Sequence, residues 1–140
     1  MVSPTSAAPP AIAGADEHQR WLARRSIEVI RHFQDPSGAY PACQDFSAYQ
    51  GYAWLRDGSF TAEAMSRWGQ LESATAFHQW VAAVLTGRAS QVQELVTARA
   101  AGETIDISVM LPTRFTLAGR DGTDDCGTSR PTATACGYGH

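Results

Sequence analysis

Apolar positions that recur every three or four residues predict four helices between residues 16 and 100. The first begins at the capping residue Asp16 and ends before Pro36, with an apolar side formed by Leu22, Ile27, Ile30 and Phe33. Three shorter helices are predicted at residues 59–68, 72–86 and 90–100, and a glycine follows each of them closely. Their short connections predict antiparallel neighbours, and hence a series of helical hairpins.

The remaining segments lack this helical period. Residues 38–58 combine turn residues with aromatic side chains and predict a long loop, which is uncommon in a compact domain unless it builds a site. Residues 104–109 alternate apolar and polar positions and predict a short strand, whereas the Pro and Gly of residues 111–122 predict an irregular stretch. Residues 1–15 and 126–140 have few large apolar residues, so we expect flexible tails around a domain at residues 16–125.

The composition indicates a thin hydrophobic core. Hydrophobic residues make up 44% of the 140 residues, but 23 of them are Ala. Leu, Ile, Val and Phe together number 24, which is about 17% of the chain and below the roughly 20% at which a self-sufficient core becomes doubtful. The net charge of −3 is too small to suggest disorder. The chain is therefore either an Ala-rich helical protein with a thin core or a piece of a larger domain.

Several classes of protein are disfavoured. No apolar run reaches the roughly 18–20 residues that span a membrane, and the first residues lack the basic start of a signal peptide, so we expect a cytoplasmic protein. An odd number of cysteines without a CxxC pair predicts free thiols and neither a disulfide framework nor a zinc site; they are Cys43, Cys126 and Cys136. With 11 basic and 14 acidic residues, nucleic acid is a poor candidate partner. No metal or other cofactor is expected.

The densest group of potential ligand-binding side chains lies in the predicted loop and comprises Tyr49, Tyr52, Trp54, Arg56 and Asp57. A sugar ring has apolar C–H faces that pack on aromatic rings, and its vicinal hydroxyls need both donors and acceptors. An Arg side chain donates to two neighbouring oxygens, and an adjacent carboxylate accepts from hydroxyls. The group is therefore well suited to bind a sugar.

The same residues also have a purely structural interpretation, which their chemistry leaves open. Asp57 would cap the helix that begins near Ser59, and Arg56 would form a surface salt bridge worth less than about 1 kcal/mol. The aromatic side chains would then be ordinary core residues.

Several runs along the chain resemble glycoside hydrolase family 15, the family of glucoamylases, dextran and isomaltose glucosidases and certain trehalases. Residues 38–42 (Gly-Ala-Tyr-Pro-Ala), 52–60 (Tyr-Ala-Trp-Leu-Arg-Asp-Gly-Ser-Phe) and 77–80 resemble the start of its catalytic domain. Residues 111–117 (Leu-Pro-Thr-Arg-Phe-Thr-Leu) and 122–125 (Gly-Thr-Asp-Asp) are similar to a further segment of its shorter bacterial members. The resemblance covers residues 16–125, and its Tyr-x-Trp-x-Arg-Asp core is fairly specific.

This resemblance implies a fold and a site. The family is all-α and folds as an (α/α)6 barrel with its site-forming loops at one end. Its Arg and Asp bind the hydroxyls at the non-reducing end of the terminal glucose, which implies this role for Arg56 and Asp57. The Tyr and Trp of the motif line the same subsite, which implies that role for Tyr52 and Trp54. Such a pocket would enforce exo action on an oligosaccharide or disaccharide.

The resemblance also implies that catalysis inverts the anomeric carbon, with two carboxyl groups roughly 6.5–9.5 Å apart. In the family both are Glu residues well downstream of the matched segments, so we expect no catalytic residue in this chain. Five glutamates on helices or at their ends are more simply solvated: Glu28, Glu63, Glu72, Glu94 and Glu103. Twelve helices of about 11 residues need roughly 130 helical residues, so a chain of 140 with a tail would supply only the first few helices.

The resemblance stops after Asp125. Similar members of the family continue with a segment like Asn-Phe-Gln-x-Asp-Gly-Tyr-Gly, whereas residues 128–137 read Thr-Ser-Arg-Pro-Thr-Ala-Thr-Ala-Cys-Gly. Codons exist for these residues that, shifted back by one base, read Asn-Phe-Gln-Thr-Asp-Gly-Tyr-Gly-Met-Trp. We therefore hypothesise that residues 126–140 are an unstructured, frameshifted tail, with a natural low-complexity tail as the alternative. Sequencing the gene distinguishes the two.

Three functional hypotheses remain from the sequence. The leading one is an exo-acting α-glucosidase of the glucoamylase type, truncated here and inactive alone. The second is a non-catalytic helical module that binds sugar or another partner, and the third is a decayed gene product that does not fold. The substrate linkage stays open, because the subsites beyond the terminal glucose come mostly from loops outside this chain. The oligomeric state also stays open.

Overall fold

The computed structural model describes residues 14–45 and 49–122. Four helices dominate this part of the chain: α1 (Glu17–Phe33), α2 (Leu55–Arg67), α3 (Leu71–Thr86) and α4 (Ala89–Ala100). Two three-residue strands, β1 (Tyr52–Trp54) and β2 (Arg114–Thr116), and a 3₁₀ turn at Ile107–Val109 complete it. The predicted all-α class is confirmed. The predicted tail at residues 126–140, and residues 1–13 of the other, lie outside the described residues.

Helix α1 begins where its sequence predicts. The Asp16 side chain accepts a hydrogen bond from the backbone N–H of Gln19 (2.8 Å), and the Gln19 side chain accepts one from the backbone N–H of Asp16 (3.0 Å). This reciprocal capping box satisfies two donors that a helix start would otherwise leave exposed. The start of α1 is therefore encoded by neighbouring residues alone.

Helix α2 begins four residues before the predicted start at Ser59, so that prediction is wrong. The sequence predicts Gly58 to end the loop of residues 38–58, but it is buried inside the helix. A Cβ atom there would lie 2.3 Å from Cε2 of Phe77, so glycine at this position lets α2 and α3 approach closely. The apolar side chains of α2 differ in burial, because Phe60 is 74% exposed while Ala62 and Met65 are fully buried.

The core lies between α2, α3 and the two strands. Its buried members are Ala39, Tyr40, Ala53, Ala62, Met65, Ala74, Phe77, Trp80, Val84 and Phe115. Helix α1 packs on this core through Ile27 and Ile30, which are partly buried. Within the described chain, neither α1 nor α4 contributes a buried residue. The core is thus as thin as the composition predicts.

The two strands pair antiparallel, with Tyr52 opposite Thr116, Ala53 opposite Phe115 and Trp54 opposite Arg114. The sequence predicts both segments to be irregular, which is wrong at these six residues. The strands form here because Ala53 and Phe115 are fully buried in the core.

The strand predicted at residues 104–109 is wrong. The Asp106 side chain accepts a hydrogen bond from the N–H of Ser108 (2.7 Å), which caps a 3₁₀ turn. Hydrogen bonds with the side chain and then the backbone of Ser108 lower the pKa of the Asp106 carboxyl. Ile107 and Val109 are exposed. A segment of alternating apolar and polar residues is stabilised as a strand mainly when its apolar face is buried, and here that face does not reach the core.

Trp80 and Arg88 fasten the segment after β2 to the helical core. The indole Nε1 of Trp80 donates to the carbonyl of Leu117 (2.9 Å). Arg88 donates to the carbonyls of Val84 (2.8 Å) and Gly119 (3.0 Å), and it pairs with the carboxylate of Asp121. Strand β2 is therefore held in place by contacts with α3 and with the turn between α3 and α4.

A buried polar network joins the end of α1 to the start of α3. The hydroxyl of Tyr40 lies 2.7 Å from that of Ser73, which donates to the side-chain oxygen of Gln34 (2.6 Å). The Gln34 amide donates to the carbonyls of Gly38 and Ser73. Burial raises the pKa of Tyr40. These bonds satisfy polar groups that would be costly to bury alone.

Candidate functional site

Strand β1 presents two aromatic side chains on one face. Successive side chains of a strand point to opposite faces, so Tyr52 and Trp54 share the face that Ala53 does not use. Ala53 is fully buried in the core, whereas Tyr52 and Trp54 are half-buried. The aromatic pair therefore lies at the boundary between the core and solvent, where one surface of each ring can meet a ligand.

Arg114 covers this pair from the neighbouring strand. Its guanidinium carbon lies 4.3 Å from the ring centroid of Tyr52 and 5.9 Å from that of Trp54, within the range of cation–π attraction. The residue is only 9% exposed. The ring of Tyr49 meets that of Trp54 edge-on, with centroids 5.5 Å apart. We call these four residues, Tyr49, Tyr52, Trp54 and Arg114, the aromatic platform.

Arg56 and Asp57 lie in the first turn of α2, directly after β1. Nε of Arg56 lies 3.2 Å from Oδ1 of Asp57, and the two side chains are 82% and 62% exposed. An ion pair this exposed contributes less than about 1 kcal/mol to stability. In the described structure the contact uses one nitrogen and one oxygen, which leaves the two Nη groups and Oδ2 for a ligand.

The structural interpretation of the motif holds in one respect and is wrong in two. Arg56 and Asp57 do form a surface salt bridge at a helix start. However, the N-cap is Trp54, without a side-chain hydrogen bond, so Asp57 does not cap α2. Tyr52 and Trp54 are half-buried rather than fully buried core residues.

Sequence reasoning missed Arg114 as a site residue. Its segment, residues 111–117, lies in the stretch that the sequence predicts to be irregular. Apolar and polar side chains alternate over Arg114, Phe115, Thr116 and Leu117, a pattern that predicts a strand with Arg114 and Thr116 on one face. That pattern was the available signal, although it does not say which strand is the partner.

The charged pair of the predicted site, Arg56 and Asp57, is exposed at the N-terminal end of α2. A groove of about 610 Å³ lies near the other end of that helix and is lined by residues that include Arg31, Asp35 and Glu72. A smaller groove of about 220 Å³ lies beside α1. Neither is lined by the Tyr52, Trp54, Arg56 and Asp57 of the sequence prediction.

Two further properties concern the described residues alone. They contain no group of three or more His, Cys, Asp or Glu side chains that could hold a metal ion. None of their helices is both long and apolar enough to cross a membrane.

Comparison with known proteins places the chain among glycosidases. The sequence model of glycosyl hydrolases family 15 matches residues 17–105. An isomaltose glucohydrolase from Kribbella flavida is 54% identical over 115 residues, which are 79% of this chain and 30% of that protein. A wild-type glycosidase structure and a glycosidase variant in complex with glucose each superpose with a TM-score of 0.71 at 54% identity. Both cover 79% of this chain, which spans 31% of theirs.

Proposed function

Because the chain belongs to glycosyl hydrolase family 15, we propose that it carries the terminal-glucose subsite of an exo-acting, inverting α-glucosidase. The described helices supply part of the (α/α)6 barrel expected of this family. Tyr52, Trp54, Arg56 and Asp57 line the proposed subsite. The observation that carries the proposal is an exposed Arg–Asp pair directly after a half-buried Tyr–Trp pair, at the start of one helix.

The two charged side chains suit the vicinal hydroxyls of a terminal glucose. The Nη groups of Arg56 donate to two neighbouring oxygens, and Oδ2 of Asp57 accepts from a hydroxyl. Hydrogen bonds to charged groups contribute roughly 1.5–3 kcal/mol each. A chain end with free hydroxyls satisfies both groups, whereas an internal sugar unit lacks one of those hydroxyls. This difference is the basis of the proposed exo action.

Short α-glucosides are the proposed substrates. The relative from Kribbella flavida is an isomaltose glucohydrolase, and one structural neighbour was solved in complex with glucose. Isomaltose is therefore our first choice of substrate, with glucose as the product released. Hydrolysis of this kind consumes water and needs no cofactor.

We further propose that the general acid and the general base, both Glu in the proposed mechanism, are not among the residues of this chain. Two of its glutamates, Glu28 and Glu63, pair with Arg25 and Arg67 on exposed helix surfaces. An acid needs a raised pKa in a shielded pocket, and a base must face a bound water across the scissile bond. The chain alone should therefore bind sugar without cleaving it.

The test is a glucose titration of the isotope-labelled 140-residue chain, followed by NMR. Arg56→Met and Asp57→Asn should each weaken glucose binding at least tenfold, since each removes a charged partner of a hydroxyl. Arg67→Met and Glu63→Gln are matched controls, because they break an ion pair of similar exposure on the same helix. Both controls should bind glucose as the wild type does.

Three results would contradict the proposal. Equal binding by the wild type and Arg56→Met would remove Arg56 from the subsite. A folded wild-type chain without any glucose-dependent shift would overturn the subsite itself. Release of glucose from isomaltose by the purified chain would show that an acid–base pair lies within it.

A further inference from the structure

Arg114 is a permanently charged side chain in a nearly buried position, which calls for a physical reason. Burying a charge is costly unless other groups compensate for the lost water. Here the flat guanidinium lies over the ring of Tyr52 and near that of Trp54. Arginine suits this place because its guanidinium is planar and less strongly hydrated than the ammonium group of lysine.

The position of Arg114 decides which aromatic surface remains for a sugar. Its guanidinium occupies one face of the Tyr52 ring at 4.3 Å, so a sugar cannot pack on that face. A ligand must meet Tyr52 at its other face, its edge or its hydroxyl. Arg114 thus restricts the orientation of Tyr52 and, through the register that pairs it with Trp54, the orientation of both rings.

Arg114 is itself held on several sides. Phe115, the next residue, is fully buried in the core, and the carbonyl of Leu117 accepts a hydrogen bond from Trp80. A Cβ atom at Gly122 would lie 2.9 Å from Cγ of Arg114 and 3.2 Å from Cε1 of Tyr52, so the backbone of Gly122 closes the cluster tightly. A side chain held this firmly can orient its neighbours.

We propose that Arg114 is a positioning residue that holds Tyr52 and Trp54 in the orientation that binds the terminal glucose. This inference rests on the proposed function for the identity of the sugar. The positioning of the two rings follows from the contacts of Arg114 with them and can be measured without any sugar.

Arg88, the residue before α4, offers a matched control because it contacts the strand that carries Arg114. Its guanidinium carbon lies 4.7 Å from the ring centroid of Phe115, so it also makes a cation–π contact with a residue of this sheet. Its other contacts, with Asp121 and the carbonyls of Val84 and Gly119, fasten the segment after β2 to the helices. Arg88 therefore has a structural role, while Arg114 faces the aromatic pair.

The experiment compares Arg114→Met, Arg114→Lys and Arg88→Met in the full 140-residue chain by NMR. The chain has four Trp residues, and the indole N–H signals of Trp54 and Trp80 are assigned by replacing each with Phe. Trp54 reports on the aromatic platform. Trp80 reports on the docking of the segment after β2, because its indole N–H donates to Leu117.

We expect Arg114→Met to shift the Trp54 signal in the absence of sugar, to leave the Trp80 signal in place and to weaken glucose binding about tenfold. Arg114→Lys keeps the positive charge but loses the planar guanidinium group, so it should bind glucose more tightly than Arg114→Met and more weakly than the wild type. Arg88→Met should lower the melting temperature and shift Trp80, while its folded form binds glucose within about twofold of the wild type. If Arg114→Met does not fold, Arg114→Lys decides alone through its Trp54 signal and glucose affinity.

The inference is overturned if Arg114→Met keeps the wild-type Trp54 signal or the wild-type glucose affinity. If Arg114→Met does not fold, the same criterion applies to Arg114→Lys. The inference is also overturned if Arg114→Met shifts Trp80 as Arg88→Met does and its loss of affinity only parallels unfolding. If the wild type fails to bind glucose but Trp54 still shifts in Arg114→Met, the proposed function fails while the positioning of the rings stands. The two failures are therefore distinguishable.

Discussion

Helices α1 and α2 form for different physical reasons. Helix α1 has 17 residues and a complete capping box, yet none of its residues is buried in the described structure. Helix α2 has 13 residues and no side-chain cap, but it buries Gly58, Ala62 and Met65. The apolar side of α1 is largely exposed, at Trp21, Leu22, Val29 and Phe33. An amphipathic pattern therefore predicts a helix reliably without predicting what covers its apolar face.

This contrast bears on function because the candidate site lies at α2, the helix that depends on burial rather than on a local cap. Arg56 and Asp57 lie in the uncapped first turn of α2, whose position depends on packing against α3. The aromatic platform lies beside it and depends on the pairing of β1 with β2. The site is thus supported by tertiary contacts, and changes in the core should alter it more than changes in α1.

The largest expected effect compares two Phe residues. Phe77 is fully buried between α2 and the aromatic core, so Phe77→Ala should lower the free energy of unfolding by about 3–5 kcal/mol. Phe33 is 41% exposed, so Phe33→Ala should cost about 1 kcal/mol or less. Urea unfolding measures both. If Phe77→Ala does not fold, Phe77→Leu replaces it. Equal losses of unfolding free energy at Phe77 and Phe33 would contradict the exposure of the apolar side of α1.

An intermediate effect is expected at Gly58. Alanine is the better helix former by about 1 kcal/mol, but its Cβ would collide with the buried ring of Phe77, and overpacking typically costs about 1–3 kcal/mol. Gly58→Ala should therefore lower the melting temperature and weaken glucose binding, because it displaces the turn that carries Arg56 and Asp57. The control is Gly87→Ala, where an added Cβ meets its nearest neighbour at an ordinary 3.5 Å. A more stable Gly58→Ala would refute the close-approach explanation.

The smallest expected effect is at the cap of α1. Asp16→Ala removes an acceptor for the N–H of Gln19 and should cost about 1 kcal/mol, confined to the first turn of α1. Hydrogen exchange should show faster exchange of the first amides of α1, with unchanged protection in α2 and α3. Asp16→Asn retains a capping oxygen and serves as the control. Loss of protection in α2 as well would mean that the two helices unfold together.

Sequence reasoning succeeded where the deciding contacts are local. The capping box of Asp16 and Gln19 marks the start of α1, and glycines mark the ends of α2 and α3. The motif at residues 52–60 indicates the family, and the family match at residues 17–105 confirms it. The role of Tyr52, Trp54, Arg56 and Asp57 in sugar binding stays a prediction.

It failed where a distant residue decides. The sequence predicts Gly58 as the end of a loop, because nothing in the neighbouring residues shows that the Phe77 ring lies against it. Residues 104–109 alternate like a strand, but β1 pairs with residues 114–116 instead, where Phe115 can enter the core. The spacing of apolar residues shows which face of a segment is apolar. Strand pairing also depends on which distant segment lies beside it.

The sequence by itself determined the helical class, the start of α1 and the family motif that names the candidate sugar-binding residues. These depend on hydrogen bonds and side-chain spacings within a few residues, which are the same wherever the segment packs. The tertiary structure alone decided where α2 begins, which segments form the sheet and that Arg114 lies over Tyr52. Those features join residues as far apart in sequence as Tyr52 and Thr116, and they exist because burial of apolar surface brings the segments together.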